Sequence, residues 1–300
     1  MSTPKQHHYV PKVYLKSFAD EAGNLFAYNK LYRSCKKTNI SNVCYALNYF
    51  TVSKEETQLI HKVEDINYIE KEVFRKQENA YRQLLHTIID PPYTHEIAVG
   101  QAAQFMEVLI NIKRRNPSMK QSLVLQITEY INSAEFQQHV APAIEISRKI
   151  DTIDPEEYIR NYIATTTKDK DKLKDMYLAR FLQASSETVT AIINTLLQFK
   201  WHIILAPVGS VFYTSDNPGF TFTGDNTLLN AGGLSESFVH VFPLTPTDCL
   251  MIGSSEIDKE YETNKTIHKI PVEGPVVNWI NDFTFRIANN KVLGRDPFSL

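Results

Sequence analysis

Between about residue 55 and residue 199, apolar residues recur every three to four positions, the spacing of an amphipathic helix. Ile66, Ile69, Val73, Ala80 and Leu84 mark a first long helix, which Asp90-Pro91-Pro92 stops. Ala102, Phe105, Leu109 and Ile112 mark a second over 94–115, closed by Arg115-Asn116-Pro117, and more helix follows to about 150. Asp154-Pro155-Glu156-Glu157 spells a helix start, with aspartate as cap, proline in the first turn and acids at the positive end of the dipole. A last long helix is predicted over 169–199.

Either side of this block the period shortens. Leu25–Tyr28 and Tyr45–Val52 read as strands near the N-terminus, behind a short helix over 10–19 whose start Pro11 fixes. After Trp201 come short apolar runs, Trp201–Leu205, Val211–Thr214, Val239–Phe242 and Cys249–Ile252, with turns between them, then a helix over 278–288. The expected class is α+β: a mainly helical body with a small mixed or antiparallel sheet. The C-terminal third supplies that sheet and the N-terminal strands join it. The expected organisation is one composite domain over 1–300, with an N-terminal part (1–54), a helical part (55–199) and a β-rich part (200–300).

With 300 residues the chain can bury roughly 75% of its unfolded surface, so it needs no staple to fold. A net charge of -2 gives no global field toward nucleic acid or an anionic membrane. Any such contact would need a local patch, and Lys113, Arg114, Arg115 and Lys120 are the densest one. Cys35, Cys44 and Cys249 leave an odd thiol and no paired spacing for zinc, which fits a reducing compartment. No run is long and apolar enough for a membrane span, and the first residues lack a signal-peptide core, so the expectation is a cytoplasmic protein.

The chemistry-bearing residues are few. His7 and His8 stand just ahead of Pro11, and imidazoles are suited to proton transfer or metal ligation near neutral pH. Glu70 and Glu78 are about 80° apart around an ideal helix and two turns separated. Arg115 ends a helix and offers a planar fork for phosphate or carboxylate. Ser215-Asp216-Asn217-Pro218-Gly219 is the strongest turn, with two polar side chains at the end of a strand. Each has a structural alternative: helix packing for the histidines, a solvated face for the glutamates, dipole compensation for Arg115, turn formation for Asp216 and Asn217. There is no Walker motif, dinucleotide fingerprint or nucleophile elbow.

His8-Tyr9-Val10-Pro11 with Tyr14-Leu15 and Phe18 resembles the signature of a bacterial family of unassigned role, domain of unknown function 4238. Gly23–Tyr28, Ile69-Glu70 and Glu78, Arg115-Asn116-Pro117, Ser215-Asp216-Asn217-Pro218 and Pro243-Leu244 extend the resemblance over nearly the whole chain. It implies a shared fold and site, and a setting like that of bacterial defence or toxin genes. On this basis the expected function is a metal-assisted phosphodiesterase, a nuclease acting in anti-phage defence or as a toxin. His8 would be base or ligand, Glu70 or Glu78 together with Asp216 the carboxylates for magnesium or manganese, and Arg115, with Asn217 beside it in the site, the phosphate clamp. The alternative is a non-catalytic binding or sensor module for a small anionic ligand, nucleic acid or a partner protein.

Overall fold

The computed structural model describes residues 5–52, 67, 69–139, 142, 154–183, 187–223, 228–229 and 237–298. The expected helices at 55–66 and 143–150, and Gly232-Gly233, lie outside the described residues.

The largest sheet has seven strands in the spatial order β5 (His95–Ala98), β12 (Asn264–Pro271), β6 (Phe199–Leu205), β11 (Asp248–Ile257), β10 (Phe238–Pro243), β8 (Phe220–Thr223) and β9 (Leu228–Leu229). Only the β6–β12 pair is parallel. A strand sends alternate side chains to opposite faces, and β6 shows the consequence. Trp201 and Ile203 join the main core with Phe105, Leu109 and Ile112 of helix α3 (Val99–Arg114) and Leu196 of helix α7 (Glu187–Leu197). Ile204 faces the other way, with Val241 and Cys249, against Val277, Ile280 and Ile287 of helix α8 (Gly274–Ile287). Helices therefore cover both faces.

A second sheet of four strands runs β3 (Ser34–Asn39), β2 (Asn24–Asn29), β13 (Lys291–Gly294) and β7 (Thr214–Ser215). The α+β class holds. The N-terminal strands do pair with a C-terminal one, but in this separate sheet. A two-stranded ribbon joins β1 (Gln6–His8) to β4 (Tyr45–Leu47), and behind it come helix α1 (Lys12–Leu15) and a 3-10 turn to Phe18. The remaining helices are α2 (Arg75–Ile89), α4 (Pro117–Ile131), α5 (Pro155–Thr166) and α6 (Lys170–Gln183).

Several boundaries differ from the pattern, each for a local reason. The strand over Tyr45–Val52 stops at Leu47, because Asn48 takes a positive φ of 51° that turns the chain. The helix over 94–115 starts only at Val99: His95–Ala98 finds β12 and pairs with it instead. Val211–Thr214 is mostly loop, and its last residue belongs to the four-stranded sheet. The helix over 169–199 is described as α6 and α7. Gly219 has φ +70°, and the Phe242 ring occupies the place a Cβ would take, so only glycine fits that turn.

Candidate functional site

His7 and His8 are not a free terminus. They form strand β1, hydrogen-bonded to β4, so their side chains leave the strand on opposite faces. His7 stacks on Phe50 (6.0 Å, 13°) and its Nδ1 accepts the Phe50 N–H at 2.9 Å. That bond fixes the tautomer: a neutral His7 carries its proton on Nε2. Burial, then Lys5, Lys174 and His8, hold its pKa below the usual value, so it is neutral at pH 7. The Nε2–H is buried and has no hydrogen-bond partner among the described residues. His8 packs against Tyr45 (5.7 Å) and is itself buried, so it contributes packing to the ribbon. Its pKa too is lowered, by burial and Lys12, while the Ser41 and Ile40 carbonyls pull it up. Its Nε2 is likewise without a partner among the described residues.

Ahead of α2 the chain winds as a π-helix over Ile69–Phe74, a wider turn that changes the angular relation of Glu70 to Glu78. Glu78 Oε1 accepts from Arg115 Nη1 at 2.7 Å, and the Arg115 guanidinium lies 3.4 Å from the Phe74 ring centroid. Glu70 feels both groups. Burial pushes its carboxyl up to about 7, with Arg115 and Lys12 opposing and Glu78 reinforcing, and its Oε2 is buried with no partner among the described residues. The two glutamates and the arginine are thus brought together.

A raised acid pKa has a definite sign in the stability of the protein. The folded state binds more protons than the unfolded one between pH 4.5 and 7, so Glu70 costs stability progressively across that window and fully above it. Glu70→Gln should therefore match the wild type near pH 4.5 and exceed it by about 2 kcal/mol at pH 8, after allowing for solvent screening. Thermal melts of the two proteins across pH 4.5–8 check this. Parallel profiles would mean that Glu70 ionises normally.

The basic cluster is not a surface patch. Lys113, Arg114 and Arg115 are only 7%, 8% and 1% exposed, which corrects their assignment to a nucleic-acid interface. Lys113 Nζ donates to Asn217 Oδ1 (2.7 Å) and to the Gly219 carbonyl (2.6 Å), and burial lowers its pKa to about 7. Arg114 Nη1 donates to Asn111 Oδ1 at 3.3 Å. A phosphate polymer cannot reach groups committed to the interior.

Asp216 and Asn217 are fastenings as well. Asp216 Oδ1 accepts from the Asn289 N–H (2.8 Å), and Oδ2 from those of Asn290 (2.9 Å) and Lys291 (3.1 Å). Burial raises its carboxyl above the ordinary value, and these three donors pull it back. Asn217 Nδ2 donates to the Ile287 carbonyl at 2.9 Å. Asn116 caps α4 through the Ser118 N–H and donates to the Asp216 carbonyl. The Tyr14 hydroxyl donates to the Pro243 carbonyl (2.8 Å) and lies 2.6 Å from the Thr214 hydroxyl. The landmarks converge in space, chiefly to lock α1, α3, α4 and the four-stranded sheet to one another. Among the described residues no group of three or more His, Cys, Asp or Glu could hold a metal ion. The Asp216 carboxylate, with three backbone donors on its two oxygens, does not fit such a role.

A set of donors, of which the sequence singled out only His7 and Lys120, lies around the aromatic cluster of Tyr49, Phe50, Phe74 and Tyr177. Lys120 Nζ stands 4.5 Å from the Tyr49 ring centroid and 5.5 Å from that of Tyr177. Burial and the charge of Lys174 lower its pKa, and Lys174 also acts on His7. The Tyr49 hydroxyl is buried without a partner among the described residues, and its ring meets Phe50 at 4.7 Å. His7 Nε2–H, the Tyr49 hydroxyl and two ammoniums can all donate, while the Asp171 carboxylate reaches Lys174 only at 3.9 Å. Tyr49 was legible as an aromatic of the 45–52 run. Nothing in the local sequence marks Lys174, which arrives from α6.

The chain matches no curated protein and no solved structure. A family model described as a protein of unknown function, DUF4238, matches residues 6–298. From the strand that carries His7 to the last aromatic before the C-terminus, the chain belongs to the DUF4238 family.

Proposed function

We propose that the protein binds a small anionic ligand, a phosphate or carboxylate, at the His7–Tyr49–Lys120–Lys174 donor set. The supporting observation is one of sign. Two buried neutral donors stand beside two ammoniums that repel each other, with no carboxylate within 3.5 Å of either ammonium among the described residues. An anion would relieve the repulsion and accept from all four groups. Lys174→Ala should leave the ligand-free protein as stable as wild type or slightly more so, since it removes a like charge from Lys120. Wild type should gain melting temperature with inorganic phosphate over sodium chloride at equal ionic strength, and Lys120→Ala and Lys174→Ala should lose that gain. A phosphate response no larger than that of chloride, or one retained by both variants, removes the proposal.

A second reading, phosphodiester hydrolysis in the defence or toxin setting that the resemblance implies, is favoured by Glu70. It is a carboxyl that changes protonation near pH 7 beside the same aromatic cluster, as a general acid must. Incubation with mixed DNA and RNA, with chelator or with magnesium or manganese, tests it. Cleavage that Glu70→Gln abolishes supports this reading. No cleavage, or cleavage indifferent to Glu70→Gln, leaves anion binding as the function.

A further inference from the structure

A cavity of about 640 Å³ opens between the 209–213 loop, α8 and the residues after β13. Its size is that of a small-molecule site. The wall is aromatic: Tyr213 and Phe298 meet at 4.6 Å between centroids, and Phe285 lines the cavity beside them. The rim is polar. Asn278 and Asp282 are exposed on α8, one turn apart, and Ser210 faces them from the loop. The loop is held in place by Asn281, whose Oδ1 accepts the Tyr213 N–H (2.9 Å) and whose Nδ2 donates to the Val211 carbonyl (2.8 Å).

The charges around this cavity are one-sided. Asp282 lines it, and among the described residues no lysine, arginine or histidine does. Burial, and the carboxylate of Asp296 beyond it, hold the Tyr213 hydroxyl above its usual pKa. Two cations beside Phe285 are already engaged. Lys30 Nζ is bound by the Phe285 and Ala288 carbonyls (2.9 and 2.7 Å) at 5.2 Å from the Phe285 centroid, and Arg286 lies over Phe283 at 4.9 Å rather than against Asp282.

Aromatic rings with an adjacent carboxylate and no competing cation are the setting in which an alkylammonium group is attracted by ring quadrupoles and a counter-charge together. We propose that this cavity binds a small organic ammonium ion, held against Tyr213 and Phe298 with Asp282 as its counter-ion. The site is separate from the anion site and does not depend on it.

Calorimetric titration of the whole protein with choline and with its neutral isostere, 3,3-dimethylbutan-1-ol, tests the proposal. Choline should bind at least about tenfold more tightly than the alcohol, the size expected of a partly desolvated cation–π contact. Asp282→Asn, an exposed change that leaves the melting temperature in place, should weaken choline about tenfold and leave the alcohol unaffected. Phe298→Leu should weaken choline while keeping the apolar contact. The phosphate response of the protein should be the same in both variants. Equal affinity for choline and the alcohol, unchanged choline affinity in Asp282→Asn, or no choline binding at millimolar concentration would each overturn the assignment.

Discussion

Asp216→Ala is expected to cost about 4 kcal/mol of stability, because it leaves three part-buried backbone N–H groups without their acceptor. The carboxylate gathers the N–H groups of Asn289, Asn290 and Lys291, the point at which the chain leaves α8 and enters β13. The Asp216 backbone pairs with the same segment, its N–H donating to the Lys291 carbonyl at 3.0 Å. Losing the side chain therefore loosens the joint between the four-stranded sheet and the last helix. Asp216→Asn should cost about 2 kcal/mol, since one amide oxygen cannot serve donors that need two and its NH₂ faces the others. An aspartate bonding only its own turn would tolerate that change for about 1 kcal/mol or less. Urea denaturation at pH 7 separates the two. A midpoint for Asp216→Asn within experimental scatter of wild type would return the residue to the turn and free its carboxylate for chemistry.

Much of the architecture was legible because its signals are local. Pro11, Asp90-Pro91-Pro92, Asn116-Pro117 and Asp154-Pro155 each set an element boundary where a fixed φ or a cap must fall. The apolar stripe through Phe105, Leu109 and Ile112 is buried against the sheet as its period requires. What the sequence hid was pairing at a distance. Ser34–Asn39 reads as a polar loop because it is an edge strand exposed along most of its length. Gln6–His8 becomes a strand only because Tyr45–Leu47 passes beside it. The π-helical turn at Ile69–Phe74 has no period of its own to detect, so a regular helix put Glu70 and Glu78 in the wrong relation.

The candidate site was legible in the same uneven way. His7, His8, Glu70, Glu78, Arg115 and Asp216 were found as chemistry-bearing residues. Exposure could not be read from them, since a run of Lys, Arg and Arg at a helix end looks solvated unless the carbonyls that await it are known. Asn217 and Gly219 supply those acceptors from more than a hundred residues away. Cys249 and Cys44 are buried free thiols, as the absence of paired spacing predicts.

Arg115→Ala is expected to cost about 3 kcal/mol, the low end of the range for breaking a buried ion pair because Glu78 keeps some contact with water, and Arg115→Lys about 2. The guanidinium is 1% exposed, lies flat enough on Phe74 to come within 3.4 Å of its centroid, and reaches Glu78 Oε1 at 2.7 Å. Lysine can restore the charge but not the planar contact, and its ammonium sheds hydration at greater cost. Two measurements distinguish this account from a solvent-facing phosphate clamp. In urea denaturation, Arg115→Met combined with Glu78→Gln should recover most of the loss, since an apolar side chain then replaces a pair with no charge left behind. In pH titration, Arg115→Met alone should extend the fall in stability due to Glu70 to higher pH and deepen it, because Arg115 opposes the upward shift of that carboxyl. A clamp would show neither effect: Arg115→Ala would keep its stability and lose only the response to phosphate. The expected result is the reverse, a destabilised protein whose Lys120 and Lys174 still bind phosphate while it remains folded.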